Sequence, residues 1–73
     1  MNSEATLTTT TDRIRFIRAR IAERLLLSFS EEIYAEEQEA LGNLDIALEA
    51  RVRAANQRLV AATQENTLAT LFP

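Results

Sequence analysis

Residues Ile33 to Ala62 read IYAEEQEALGNLDIALEARVRAANQRLVAA, and a beat of seven runs through them without a slip. One position reads Ile33, Ala40, Ala47, Ala54, Ala61; the next reads Tyr34, Leu41, Leu48, Ala55, Ala62. Leu44, Val52 and Leu59 widen the stripe. Apolar residues at this spacing share one face of a long α-helix, so the stretch predicts a helix that packs lengthwise on other helices. Alanine dominates that face. Small side chains let two helix axes approach the short end of the usual range of about 8–10 Å, but each buries little area. Such a seam needs length, and at about 1.5 Å per residue this helix would reach roughly 45–50 Å.

Glu37 and Arg51 interrupt the stripe at the heptad position of Leu44. If two copies of the helix pair antiparallel about Leu44, Leu41 meets Ala47, Ala40 meets Leu48, and Glu37 meets Arg51 twice. Large faces small and acid faces base, which fixes register more than it adds stability. The expected self-association seam is therefore Ile33, Glu37, Ala40, Leu41, Leu44, Ala47, Leu48, Arg51, Val52, Ala55, Leu59 and Ala62. The plainer alternative is a core-facing helix in a monomeric bundle, with Glu37 paired to an arginine of the first helix and Arg51 reaching out to water.

Outward from this stretch, Ser28-Phe29-Ser30 offers a helix restart. Ser30 can cap a first turn that holds Glu31 and Glu32, and Phe29 can staple onto Tyr34. Before it, a first helix is expected from a cap at Thr11 to about Leu27, with Ile14, Ile17, Ile21 and Leu25 along one edge. The stripes before and after Ser28 point in different directions, and a bend there resolves the mismatch. A single helix from Thr11 to Asn66 is the competing reading, with Ala19, Ala22, Leu26, Phe29 and Ile33 as its seam. Gly42-Asn43 is a second possible break. Because the heptad phase is the same on both sides, and a glycine inside a helix costs only about 1 kcal/mol, continuity is expected there. Residues 1–10, rich in threonine, read as a loose arm, and residues 68–73 as an apolar tail whose Leu68, Leu71 and Phe72 pack on a neighbouring helix or bind a partner.

The expected fold class is thus all-α: a two-helix hairpin, with a short basic helix at about 11–27 and a long heptad-patterned helix at about 31–66, associating into an oligomer. The alternative is a three-helix bundle broken at Gly42-Asn43. Composition agrees. Of 73 residues, 47% are apolar, with one glycine and one proline, and the commonest residues are strong helix formers. A chain this short buries only a thin core and usually needs a staple or a partner. It has no cysteine for a disulfide.

Charge comes in blocks. Arg13, Arg15, Arg18, Arg20 and Arg24 stand against only Asp12 and Glu23; Glu31, Glu32, Glu36, Glu37, Glu39, Asp45 and Glu49 follow without a base; then Arg51, Arg53 and Arg58 without an acid. A hairpin turning at Ser28 lays the first basic block on the acidic one and leaves the third for a partner's acidic block. Exposed ion pairs are worth at most about 1 kcal/mol each, so the pattern selects orientation rather than supplying stability.

Histidine, cysteine and lysine are all missing. That removes the commonest general base, the thiol nucleophile and the Schiff-base amine, and no glycine-rich phosphate loop exists. No catalytic residue is expected. Glu32, Glu36 and Glu39 share a face and could hold a hard cation, but the expected role is a solvated or arginine-paired face, so no metal or cofactor is expected. Arg13, Arg15, Arg18, Arg20 and Arg24 could contact nucleic-acid phosphates or, with Ile14, Phe16, Ile17 and Ile21, an anionic membrane. The net charge of −3 argues against a general nucleic-acid binder. Neither a signal peptide nor a membrane span is visible, so the expected location is the cytoplasm, or the inside of a virion or other assembly. The function expected is non-enzymatic: a structural or adaptor module that self-associates, as an antiparallel homodimer or a higher oligomer. The alternatives are a small nucleic-acid-associated regulator using the first helix, and a helical chaperone or inhibitor of a protein partner.

Overall fold

The computed structural model describes residues Thr9 to Phe72, and these form two helices packed on each other as a hairpin: α1, Thr10–Ala40, and α2, Leu44–Leu71. The arm at residues 1–8 and Pro73 lie outside the described residues. The all-helical hairpin agrees with the sequence reading. The position of its turn does not, and the difference reorganises every face of the molecule.

Helix α1 begins two residues earlier than expected. Thr9, in an extended conformation, caps it: its hydroxyl accepts the Asp12 amide at 3.1 Å. Asp12 itself sits in the first turn, where a carboxylate suits the helix dipole. The helix then passes through Ser28-Phe29-Ser30 without a break. Ser30, the expected cap, lies mid-helix. The Ser28 hydroxyl donates to the Leu25 carbonyl one turn back, at 2.8 Å, which satisfies a side chain that is 1% exposed. With neither glycine nor proline in this region, nothing in the backbone favours leaving the helix.

The break falls at Gly42-Asn43 instead. Gly42 adopts φ +82°, the left-handed region that side chains with a Cβ disfavour. The Asn43 amide returns to the Gln38 carbonyl at 2.8 Å, and the Gly42 amide to Glu39 at 3.0 Å. This pair of bonds is the Schellman ending, which satisfies the last carbonyls of α1. The Asn43 side-chain amide also donates to Gln38 Oε1 at 2.8 Å. A glycine that costs stability inside a helix becomes favourable once the chain must turn. Helix α2 runs beyond the expected fraying point at 66–67. Thr63, Thr67 and Thr70 each donate to the carbonyl four residues back, at 3.0, 3.0 and 2.8 Å, so threonines that could compete with the helix are held within it.

The inward positions recur at alternating steps of three and four. On α1 they are Ile14, Ile17, Ile21, Arg24, Ser28, Glu31, Ala35 and Gln38; on α2 they are Ala47, Ala50, Ala54, Gln57, Ala61, Gln64 and Leu68. Of these, Ile21, Ser28, Ala35, Ala47, Ala50, Ala54 and Ala61 are buried, and Ala35, Ala47 and Ala50 form one cluster beside the turn. Ile21 is the only large side chain among them. Each buried methyl contributes about 0.8 kcal/mol, so the interface stabilises modestly for its length. The molecule measures 51 × 29 × 12 Å, with a radius of gyration of 16.5 Å, against about 11 Å for a compact chain of this length. Twelve ångströms is the thickness of one helix with its side chains. The hairpin is a slab one layer deep.

Candidate interaction surface

The large apolar side chains lie on the outside of this slab. On α1, Ala19, Ala22, Leu26, Phe29 and Ile33 follow one another at steps of three and four, and all are exposed, Leu26 by 66%, Phe29 by 63% and Ile33 by 60%. On α2, Leu48, Val52, Ala55, Leu59 and Ala62 do the same, continued towards the turn by Leu44 and Leu41. Each helix is therefore doubly striped. A face mostly of alanine, serine and polar residues, joined towards the open end by Ile14, Ile17, Ile21 and Leu68, meets the other helix, and a face of leucine, isoleucine and phenylalanine points away from it.

This divides the expected seam. Ala47 alone of its members is buried; Ile33, Glu37, Ala40, Leu41, Leu44, Leu48, Arg51, Val52, Ala55, Leu59 and Ala62 are all exposed. Ala54 and Ala61, at the same heptad position as Ala47, turn inward with it and form the hairpin's own interface. The turn also separates Glu37 on α1 from Arg51 on α2. A pairing of unbroken helices centred on Leu44 thus has no unbroken helix to form on, and Arg51 meets an acid of its own chain.

The electrostatics follow from the turn. The acidic half of α1 folds back on the third basic block. Arg51 Nη2 lies 3.1 Å from Glu39 Oε1, Arg53 Nε lies 2.6 Å from Glu31 Oε2, and Arg58 pairs with Glu32. The hydrogen bond to Glu31 holds the Arg53 guanidinium above its ordinary value, opposed by desolvation and helped by the Glu31 charge. A raised arginine contributes its stability throughout the neutral range, and that contribution is lost only when pH climbs past the raised value. Glu32 and Glu39, two of the three carboxylates considered for a cation, thus have arginine partners. Among the described residues no group of potential metal ligands gathers.

The first basic block is the one left over, reversing the expected assignment. Its arginines do not form one surface. Arg24 points inward and donates to Gln57 Oε1 at 3.2 Å, and Arg20 lies over the Phe16 ring with 5.9 Å to its centroid. Arg13, Arg15 and Arg18 are exposed. Arg15 and Arg18 make no ion pair among the described residues, and neither do Glu36 and Glu37 at the other end of the helix. Near the open end, Phe16, Ile17, Arg20, Gln64 and Thr67 line a shallow groove, in which Arg20 Nε and Gln64 Oε1 are shielded from solvent without a hydrogen-bond partner among the described residues.

Of the expected tail, Leu68 and Phe72 are half-buried and Leu71 is exposed. Leu68 belongs to the inward stripe, seven residues after Ala61, so this part of the tail continues α2 and faces α1. No helix among the described residues is long and apolar enough to cross a membrane. The chain matches no protein-family model, and neither a curated protein nor a solved structure is similar to it.

Proposed function

We propose that this chain is a non-enzymatic assembly module, a helical hairpin whose outer apolar stripes bind other helices. The observation that carries this reading is the inversion of residue size across the slab. Apart from Ile21, the buried residues are alanine and serine, while Leu26, Phe29, Ile33, Leu44, Leu48, Val52 and Leu59 are outside. Soluble monomers rarely leave so much contiguous apolar surface in water, and exposed patches of this kind mark interaction sites. The lack of histidine, cysteine and lysine supports a binding role over a chemical one. Burial of the stripes by further helices would supply the core that one layer lacks, through a homodimer, a higher oligomer, or a scaffold offering one edge to itself and the other to a partner.

The test is the solution mass across a dilution series. A dimer or larger species is expected, in equilibrium with the 8.2 kDa chain. A folded monomer at every concentration would reject the reading.

A second reading rests on the arginines. The acidic block is engaged by Arg51, Arg53 and Arg58, so Arg15 and Arg18 face solvent without a carboxylate partner among the described residues. That favours a nucleic-acid-associated role for the first half of α1, with phosphate binding that weakens steeply as salt rises. The net charge of −3 weighs against it.

A further inference from the structure

We infer that the second copy docks on α1, antiparallel, with its own α1 centred between Leu26 and Phe29. The inference rests on the assembly reading and names the face and register that assembly uses. Helix α1 is polar end to end. Its first half carries the five arginines and its last turns carry Glu31, Glu32, Glu36, Glu37 and Glu39 with no base. The hairpin pairs Glu31, Glu32 and Glu39 internally and leaves Glu36 and Glu37 at one end, and Arg15 and Arg18 at the other, without ion partners among the described residues. Arg15, Ala22, Phe29 and Glu36 are seven residues apart, so Arg15 and Glu36 continue the outer apolar stripe at its two ends.

A twofold axis between Leu26 and Phe29 makes this face complementary to itself. Leu26 meets Phe29 of the second copy and Ala22 meets Ile33, with Arg18 and Glu37 at one level along the axis on either side of the stripe. Arg15 falls within a turn of Glu36 and Glu37. Large opposes small beside the centre, and base opposes acid at both ends. The other arrangements lack this match. A parallel pair sets arginine on arginine and glutamate on glutamate. Helix α2 offers only Asp45, Glu49 and Glu65 as unpaired charges, because its arginines are engaged with α1. Packing α1 on α2 of a second copy in either direction sets acid against acid at one end, and so does packing α2 on itself. Charge at this distance selects orientation, and the apolar stripe supplies the attraction.

The chain has no cysteine, which permits a direct test. Ala22→Cys and Ile33→Cys, both at exposed positions, are purified separately, checked for helicity and mass under reducing conditions, then oxidised alone and mixed. A mixed disulfide between the two variants is expected, with none from either alone. In the antiparallel pair, like positions lie about 16 Å apart along the axis, beyond the reach of about 7 Å between Cα atoms. Self-linking of either variant alone would mean a parallel pair. A dimeric mass without the mixed disulfide would place assembly on α2. Both overturn the register while leaving the assembly reading intact. A monomeric mass throughout would reject the assembly reading itself.

Charge reversal provides an independent check. Arg15→Glu with Arg18→Glu, and Glu36→Arg with Glu37→Arg, should each weaken self-association about tenfold or more, and an equimolar mixture should recover it. If the arginine variant keeps its mass but loses salt-sensitive binding to duplex DNA, the arginines serve phosphate and the register is overturned.

Discussion

Arg51 Nη2 lies 3.1 Å from Glu39 Oε1, across a turn of three residues. The pair joins the end of α1 to the start of α2. It also shows which way the charge blocks fold: acidic onto third, not first onto acidic. Both side chains are about half exposed, so the pair guides the turn more than it stabilises it. Glu39→Arg should cost at most about 1 kcal/mol, and adding Arg51→Glu should recover most of it. Urea denaturation followed by circular dichroism measures both. Losses that simply add would show that the pair is not coupled.

Gly42 carries the turn. A Cβ built on it meets nothing within 4 Å, so crowding is not the obstacle to substitution; φ +82° is. Gly42→Ala should lower stability by about 1–2 kcal/mol, and Gly42→Asn by less, because asparagine tolerates the left-handed region better. Thermal melts of the three proteins would give the order glycine, asparagine, alanine. Equal stability of glycine and alanine would mean that this turn is not the one the chain uses.

The two alanine positions 50 and 55 should respond in opposite ways. Ala50 is fully buried between the helices and Ala55 is exposed on the outer stripe. Ala50→Leu must push the helices apart, at a cost of about 1–3 kcal/mol. Ala55→Leu should leave the hairpin intact and strengthen association, since it enlarges the outer stripe. Melting temperature reads the first and sedimentation the second. A destabilising Ala55→Leu would place that residue inside.

Ser28 separates the continuous helix from a broken one. Its hydroxyl bonds back to Leu25, which adds little and slightly opposes helix geometry. Ser28→Ala should therefore change stability by less than about 0.5 kcal/mol with helicity retained. If Ser28 instead sat at a helix start, losing its hydroxyl would cost about 1 kcal/mol. Ser28→Leu should be strongly destabilising, because the site is closed by α2.

Leu48→Asp tests the outer face of α2 apart from its inner one. Leu48 is 63% exposed in the hairpin, so the substitution should leave far-ultraviolet dichroism nearly unchanged. Any mass above that of an α1-paired dimer should disappear. Loss of helicity would mean that Leu48 supports the hairpin itself.

That the chain is helical, and which spacings carry its stripes, is legible from the amino-acid sequence, which favours a hairpin over a single long helix. The run from Ile33 to Ala62 cannot be read as strand, and few breakers interrupt it. Both possible turns were visible, Ser28-Ser30 and Gly42-Asn43, as was the stripe Ala19, Ala22, Leu26, Phe29, Ile33. Only the tertiary structure decided between them. The charge order basic, acidic, basic is satisfied by a turn at either place, because each lays arginines on glutamates. A seven-residue period states which residues share a face, but not which face turns inward when a helix has two. Packing resolves both. Close approach of two long helices favours small side chains along most of the contact, and Ser28, Ala35, Ala47, Ala50, Ala54 and Ala61 provide them only when the chain reverses at Gly42, where a left-handed residue without a Cβ lets it turn.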